Sequence, residues 1–165
     1  MKNYTIAVLL SAAIFTTIGC GNSTDNTDTA AAQQVEEKAA PSPTEQLVGE
    51  WTGNSNGEDM SYIFDEEGYA TLTSGNNVMG GKSFVVEGQN ASMKYMVNTD
   101  ENPMWLDLVL YEEGSDMEKG RMKGIARFIT DDKMEYRVSF NPAEGRPANF
   151  DPEDKNNTIL LTRTK

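Results

Sequence analysis

Two side chains that often carry enzyme chemistry, those of histidine and cysteine, are absent or nearly absent from this chain. The sequence has no histidine and a single cysteine, Cys20. These counts exclude histidine-based triads and zinc sites, an intramolecular disulfide and four-cysteine metal sites. Among the common catalytic groups, the carboxylates remain, and they are abundant.

The carboxylates lie in short clusters, at residues 65–67, 112–118, 131–132 and 151–154. Glycoside hydrolysis needs two carboxylates at a defined separation, one of them with a raised pKa. These clusters coincide with turn-forming segments, in which water keeps carboxylates ionised. Residues 151–156 also lack the ligand spacing of an EF-hand. The sequence therefore predicts a protein that is not an enzyme and that has no metal and no cofactor.

Asp107 differs from these carboxylates because it lies within a strongly apolar segment, residues 104–111. A buried aspartate needs a partner, since an unpaired buried charge is costly. Two interpretations are open. In the first, Asp107 forms a structural salt bridge with an arginine, for which the candidates are Arg127, Arg137 and Arg146. In the second, Asp107 is a polar anchor for a ligand.

The loop over residues 141–156 is rich in proline and long for a connection between two strands. Long loops in compact domains are often lids or binding segments. Arg146 and Phe150 could plug or gate one end of the domain. We therefore expect Asp107, Arg146 and Phe150 to be the ligand-binding residues.

The methionines of the domain also have two interpretations. Methionine fills irregular space in a core, and it gives a soft lining that accommodates varied apolar ligands. The residues concerned are Met60, Met79, Met93, Met96, Met104, Met117, Met122 and Met134.

The beginning of the chain has the features of an export signal. A lysine precedes residues 6–18, a mostly apolar segment that is too short to span a membrane. Residues 17–20, Thr-Ile-Gly-Cys, resemble the bacterial lipobox, with threonine in place of the usual leucine. The resemblance implies diacylation of the Cys20 thiol, cleavage before this residue and acylation of the new amino group. Residues 1–19 are thus predicted to be a signal peptide, and Cys20 is predicted to be the lipid attachment site of a membrane-anchored lipoprotein.

Residues 20–44 are predicted to be the lipidated cysteine and a flexible tether. The segment contains Val35 as its only large aliphatic residue and no aromatic residue, so it cannot bury enough apolar surface to fold. An aspartate after the cysteine would resemble a signal for retention in the inner membrane. Gly21 stands there instead, which favours the outer membrane if the cell is Gram-negative. We therefore expect a lipid-anchored protein of the cell envelope.

Residues 45–165 are predicted to form one all-β domain. Short β-branched and aromatic runs alternate with turn clusters of Gly, Asn and Asp, at the spacing of a sandwich or barrel. Eight or nine antiparallel strands favour a closed up-and-down barrel, which leaves no exposed edge. The predicted strands cover residues 46–53, 60–65, 68–74, 79–87, 91–98, 104–111, 121–130, 133–140 and 157–164.

The first and last of these strands resemble those of lipocalins. Gly49 and Trp51 match the Gly-x-Trp signature, and Arg163 matches the arginine that lies across that tryptophan. Further segments resemble, in order, a lipocalin-like domain family of exported bacterial proteins that is common in planctomycetes. They are residues 80–84, 103–107, 124–125, 146–150 and 160–163. The resemblance implies a lipocalin-like β-barrel and export, gives Gly49, Trp51 and Arg163 a structural role, and implies no activity.

Two functions remain open. The chain has 14 Lys and Arg residues against 26 Asp and Glu residues, a net charge of −12, which argues against nucleic acid as a partner. In the first hypothesis, the barrel holds a small apolar or amphipathic molecule, as barrels of about eight strands can. In the alternative, the barrel is solid and the acidic surface binds a basic protein of the cell envelope.

Overall fold

The computed structural model describes residues 40–141, 143–150 and 158–164. The predicted signal peptide, Cys20 and the tether up to residue 39 lie outside the described residues, as do residues 151–156 of the predicted loop. Within the described part, the chain forms one short helix and ten strands. No helix in that part is long and apolar enough to cross a membrane.

The predicted all-β fold is confirmed. The helix is α1 (Pro43–Leu47). The strands are β1 (Gly49–Ser55), β2 (Glu58–Phe64), β3 (Ala70–Ser74), β4 (Asn77–Val86), β5 (Gln89–Asn98), β6 (Met104–Glu112), β7 (Glu118–Met122), β8 (Gly124–Thr130), β9 (Lys133–Val138) and β10 (Thr158–Arg163).

Nine of the strands close into an antiparallel barrel. Around the barrel, the order is β1, β2, β3, β4, β5, β6, β8, β9 and β10. The last strand pairs with the first, with Trp51 opposite Arg163. β7 is the extra strand, and it pairs with β6. The closed up-and-down topology leaves few free strand edges, as the sequence predicts.

The strand predicted over residues 121–130 is divided in two, and it begins earlier than expected. Leu108 pairs with Met122, and Trp105 pairs with Ile125, so β7 and β8 follow one register along β6. They are parts of a single strand that is interrupted at Lys123. The cause lies next to the break, where the Gly124 N–H donates to the Asp107 carboxylate instead of to a backbone carbonyl oxygen of a neighbouring strand. Residues 118–120, which the prediction assigned to a loop, belong to β7.

The start of the domain also differs from the prediction. The strand expected over residues 46–53 begins only at Gly49, and α1 precedes it. Ser42 and Glu45 form a capping box, in which the Ser42 N–H donates to Glu45 Oε2 at 2.8 Å and the Glu45 N–H donates to Ser42 Oγ at 3.3 Å. Pro43 fits the first position of a helix, where no N–H is needed. The prediction missed this helix because it assigned the last apolar residues before Gly49 to the strand.

β4 is a strand of the barrel wall that changes direction part of the way along its length. It pairs with β3 through residues 77–80 and with β5 through residues 81–86, and both pairings are antiparallel. β3 and β5 are antiparallel to each other, as the bridge between Tyr69 and Lys94 shows. A straight strand cannot be antiparallel to two neighbours that run in opposite directions. β4 therefore consists of two arms, a first arm (77–80) and a second arm (81–86).

Two glycines make this reversal sterically possible. Gly80 and Gly81 have φ of +98° and +76°, a region that residues with a side chain rarely adopt. Gly80 is also packed closely, since a Cβ there would lie 2.3 Å from the Ala70 carbonyl oxygen and 2.3 Å from Met93 Cε. The reversal thus depends on the absence of a side chain at this position.

Candidate ligand-binding cavity

One end of the barrel is closed by Trp51 and Arg163. The indole is fully buried, and the Arg163 guanidinium lies 4.2 Å from the centroid of its ring. Trp51 Nε1 donates to the Leu47 carbonyl oxygen at 2.7 Å. Arg163 donates to the carbonyl oxygens of Val48, at 2.7 Å, and of Gln46. These bonds fix the end of α1 over the floor of the barrel.

Gly49 allows the arginine to reach this position. Its φ is +131°, and a Cβ on it would lie 2.7 Å from Arg163 Nη1. The Gly-x-Trp spacing therefore has a physical cause here. The glycine leaves room for the guanidinium, and the tryptophan two residues later lies on the same face of β1 and receives it.

Next to the floor, the barrel is filled by aromatic side chains. Tyr62 meets Tyr136 edge to face, with 5.5 Å between the ring centroids, and Phe64 meets Tyr95 in the same way at 5.2 Å. The Tyr136 hydroxyl donates to the Leu106 carbonyl oxygen at 3.3 Å. Burial raises the pKa of both Tyr62 and Tyr136. This part of the barrel is a packed core.

A cavity of about 740 Å³ is lined by both arms of β4, and we name it the cup. Val78 and Met79 come from the first arm, and Phe84, Val85 and Val86 come from the second. The remaining lining residues are Met60, Leu72, Ser74, Asn77, Met93, Leu110, Met122 and Phe140. The reversal of β4 thus creates a wall with two arms.

The cup has an apolar rim that is open to solvent. Val78, Val85 and Phe140 are 66%, 68% and 48% exposed. None of the lining side chains is charged, and Ser74 and Asn77 are the polar ones. Exposed apolar residues that cluster around a concavity mark a binding site, because scattered ones are common but contiguous ones are rare.

The described methionines lie in different environments. Met104 and Met134 are buried in the packed core. Met60, Met79 and Met122 line the cup, together with Met93, which also contacts the core. Four of the lining side chains are therefore flexible thioethers, and their role as a soft lining for a ligand stays a prediction.

Asp107 is paired, as its apolar surroundings require. It lies on the face of β6 opposite Leu106, and only 4% of it is exposed. Its Oδ2 accepts from Arg146 Nη2 at 2.9 Å and from Arg121 Nη1 at 3.1 Å. Its Oδ1 accepts from the Gly124 N–H at 3.1 Å and from Arg146 Nη1. These donors occupy the lone pairs of the carboxylate.

The carboxylate of Asp107, on β6, connects three other segments, which are β7, the start of β8 and the loop segment 143–150. Burial by itself raises its pKa, but hydrogen bonds from Arg146, from the Gly124 N–H and from Arg121 outweigh burial and lower the pKa below its ordinary value. Arg146 also lies over the Trp105 ring, 4.1 Å from its centroid. Of the candidate partners, Arg146 forms the salt bridge. The second partner, Arg121, was missed because its contact with Asp107 depends on how β7 pairs with β6.

Phe150 lies against Arg127 of β8. Its ring lies 4.7 Å from the Arg127 guanidinium, and Arg137 Nη1 donates to the Asn149 carbonyl oxygen at 2.9 Å. The end of segment 143–150 therefore lies against β8 and β9. Asp107, Arg146 and Phe150 are not among the residues that line the cup. Their role as ligand-binding residues stays a prediction.

The carboxylate clusters in the described segments support turns. Asp65 Oδ1 accepts from the N–H groups of Glu67, at 3.0 Å, and Tyr69, at 2.8 Å. Glu112 Oε2 forms an ion pair with Lys119 Nζ at 3.5 Å. Across the residues that the structure describes, no three or more Cys, Asp or Glu side chains are grouped so that they could hold a metal ion. That the protein is not an enzyme stays a prediction.

Sequence reasoning missed the cup, although a local signal was present. Two short apolar runs, Val78-Met79 and residues 84–86, flank the glycine pair at 80 and 81. The runs read as one strand with a polar interruption, residues 82–83. The glycine pair is the signal that this strand is bent.

Comparison of the chain with known protein families, with curated proteins and with solved structures finds no match in any of the three. The fold itself is compatible with a lipocalin-like barrel, because it is a closed antiparallel meander whose first and last strands meet at Trp51 and Arg163.

Proposed function

We propose that this protein is a lipid-anchored lipoprotein of the cell envelope whose barrel binds a small apolar or amphipathic molecule in the cup. The observation that carries the ligand part is the cavity of about 740 Å³ with its uncharged lining. Small-molecule sites are concave, mostly apolar and about 300 to 1,000 Å³ in volume. The cup has this size and this chemistry.

The lining determines which part of a ligand enters the cup. Covering apolar surface is favourable by about 25 cal/mol per Å². A charged group would lose its hydration in the cup without a charged partner to replace it. The portion of the ligand inside the cup is therefore apolar, and a charged portion stays outside.

The anchor part of the proposal rests on the sequence. Residues 17–20 resemble a lipobox, and Cys20 is the only cysteine of the chain. Two or more acyl chains on one residue give stable attachment to a membrane. The alternative function, a solid barrel that binds a basic protein, requires a filled interior, and it is supported by the net charge and by the packed core next to the floor.

The ligand proposal is tested with the mature chain, residues 20–165, carrying Cys20→Ser, which needs no detergent because it is not acylated. A neutral apolar dye, N-phenyl-1-naphthylamine, is titrated while its fluorescence is recorded. We expect saturable binding, displacement by 1-decanol, and a higher melting temperature with either compound, because a ligand that binds only the folded state stabilises it.

Two matched variants locate the binding. Val85→Lys places a charge on the rim of the cup, and Leu160→Lys places the same charge on β10, at a side chain that is 51% exposed and does not line the cup. We expect at least tenfold weaker dye binding for Val85→Lys and no change for Leu160→Lys. Equal effects of the two substitutions, or no saturable binding by the parent chain, would contradict the proposal.

A further inference from the structure

The cup adjoins a second cavity of different chemistry. This cavity, of about 850 Å³, shares Val86 and Leu110 with the cup. Where the cup is uncharged, the second cavity is polar, and its lining includes three carboxylates and one ammonium group. An apolar space and a polar space thus meet across two apolar side chains.

The charge of the second cavity is negative. Glu112 and Lys119 lie 3.5 Å apart and neutralise each other in part. Glu113 accepts from Asn90 Nδ2 at 2.8 Å, and Glu87 lies in the turn between β4 and β5. Two carboxylates therefore remain beyond the neutral pair. The chain as a whole also carries a net charge of −12, so the surrounding field repels anions.

We infer that the ligand is a single-chain amphiphile with a positively charged head group, whose alkyl chain lies in the cup and whose head lies in the second cavity between Glu87 and Glu113. This inference rests on the proposed function and adds the charge of the ligand to it. The cup takes the chain because its lining is apolar, and the second cavity takes the head because its charge is complementary. A fatty-acid anion of the same length is disfavoured.

Three decyl amphiphiles with different heads test the inference. Decyltrimethylammonium, 1-decanol and decanoate are titrated into the mature chain with Cys20→Ser at pH 8, below the concentrations at which they form micelles. We expect the cation to bind about three- to tenfold more tightly than the alcohol, and the anion to bind most weakly. The preference for the cation should shrink as salt is added, because the Glu87 and Glu113 carboxylates are exposed to solvent.

A pair of double variants assigns the preference to these carboxylates. Glu87→Gln with Glu113→Gln leaves the neutral Glu112–Lys119 pair in place and should make the cation bind no more tightly than the alcohol. Asp100→Asn with Glu101→Gln removes two exposed carboxylates at the opposite end of the β5–β6 pair and should leave the preference unchanged.

The possible failures are distinguishable. If the three amphiphiles bind equally well, and 1-decanol binding is lost in Val85→Lys, the charge of the ligand is wrong and the proposed function stands. If the preference survives the Glu87/Glu113 double variant and high salt, the second cavity does not hold the head, and the inference is overturned. If no amphiphile binds the parent chain, both the inference and the proposed function fail.

Discussion

Asp107 shows how one buried charge can hold a barrel wall together. Its carboxylate receives hydrogen bonds from segment 143–150, from β7 and from the first residue of β8. The sequence alone indicates that this aspartate needs a cationic partner, and it provides Arg146 as a candidate. It does not reveal Arg121, because the contact depends on how β7 pairs with β6. The number of partners was therefore beyond prediction from local sequence.

Asp107→Asn should destabilise the barrel strongly. The substitution removes the charge that three donors share and leaves the Arg146 guanidinium partly buried without its counter-ion. Breaking a buried ion pair in this way costs about 3 to 5 kcal/mol. Urea unfolding of the mature chain measures the free energy. Asp100→Asn, in an exposed loop, is the control and should change it by less than about 0.5 kcal/mol.

The pH dependence of stability follows from the lowered pKa of Asp107. A carboxyl whose pKa is lower in the folded state stabilises the fold at pH values above its unfolded pKa, and this contribution is lost as the pH falls through the folded pKa. The difference in unfolding free energy between the parent and Asp107→Asn should thus be largest at neutral pH and decrease below about pH 4. A difference that stays constant down to pH 2 would show that Asp107 does not act through its charge.

At the scale of elements, the reversal of β4 distinguishes this barrel from a plain meander. Neighbouring antiparallel strands alternate in direction around a ring. Because nine is an odd number, nine such strands close a ring only if one of them changes direction along its length. The sequence predicted the strand over residues 79–87 and the turn before it, because β-branched runs and turn residues are local signals. It could not predict the reversal, which depends on pairing with two strands that run in opposite directions.

Gly80→Ala should disrupt the two-armed form of β4. The left-handed φ costs an alanine about 1 to 2 kcal/mol, and the overlap with Ala70 and Met93 adds about 1 to 3 kcal/mol. Gly57→Ala is the matched control, because its φ is +86° and the space around it is open. Thermal unfolding of the two variants separates the contributions. If the melting temperatures of the two variants fall by the same amount, the close packing around Gly80 does not contribute to stability.

At the scale of the whole molecule, the sequence predicted more of the fold than of the candidate site. The number of predicted antiparallel strands was enough to predict closure of the barrel, and the resemblance at Trp51 and Arg163 lies on the first and last strands, which meet there. The cup depends on side chains from several strands and on a bend at a glycine pair. In the sequence, its lining residues were visible only as mostly apolar residues of several separate strands.

Cys20→Ser tests the proposed anchor. The substitution removes the thiol that accepts the diacylglyceryl group, so the protein should leave the membrane fraction or remain uncleaved. The barrel should still fold, because its first strand begins at Gly49 and a chain with one cysteine has no intramolecular disulfide to lose. Fractionation of cells and circular dichroism of the released protein measure the two effects. Unchanged attachment to the membrane would contradict a lipid anchor at this residue.

The central claim, that the cup holds a small apolar or amphipathic molecule, is tested most directly by NMR of the methionine methyl groups. The mature chain with Cys20→Ser is labelled at these methyls and titrated with 1-decanol. We expect the resonances of Met60, Met79, Met93 and Met122, which line the cup, to shift in a saturable manner. Met134 in the core and Met117 on the surface, which is 57% exposed, should not shift. Shifts confined to Met117, or of equal size at all methionines, would contradict the claim.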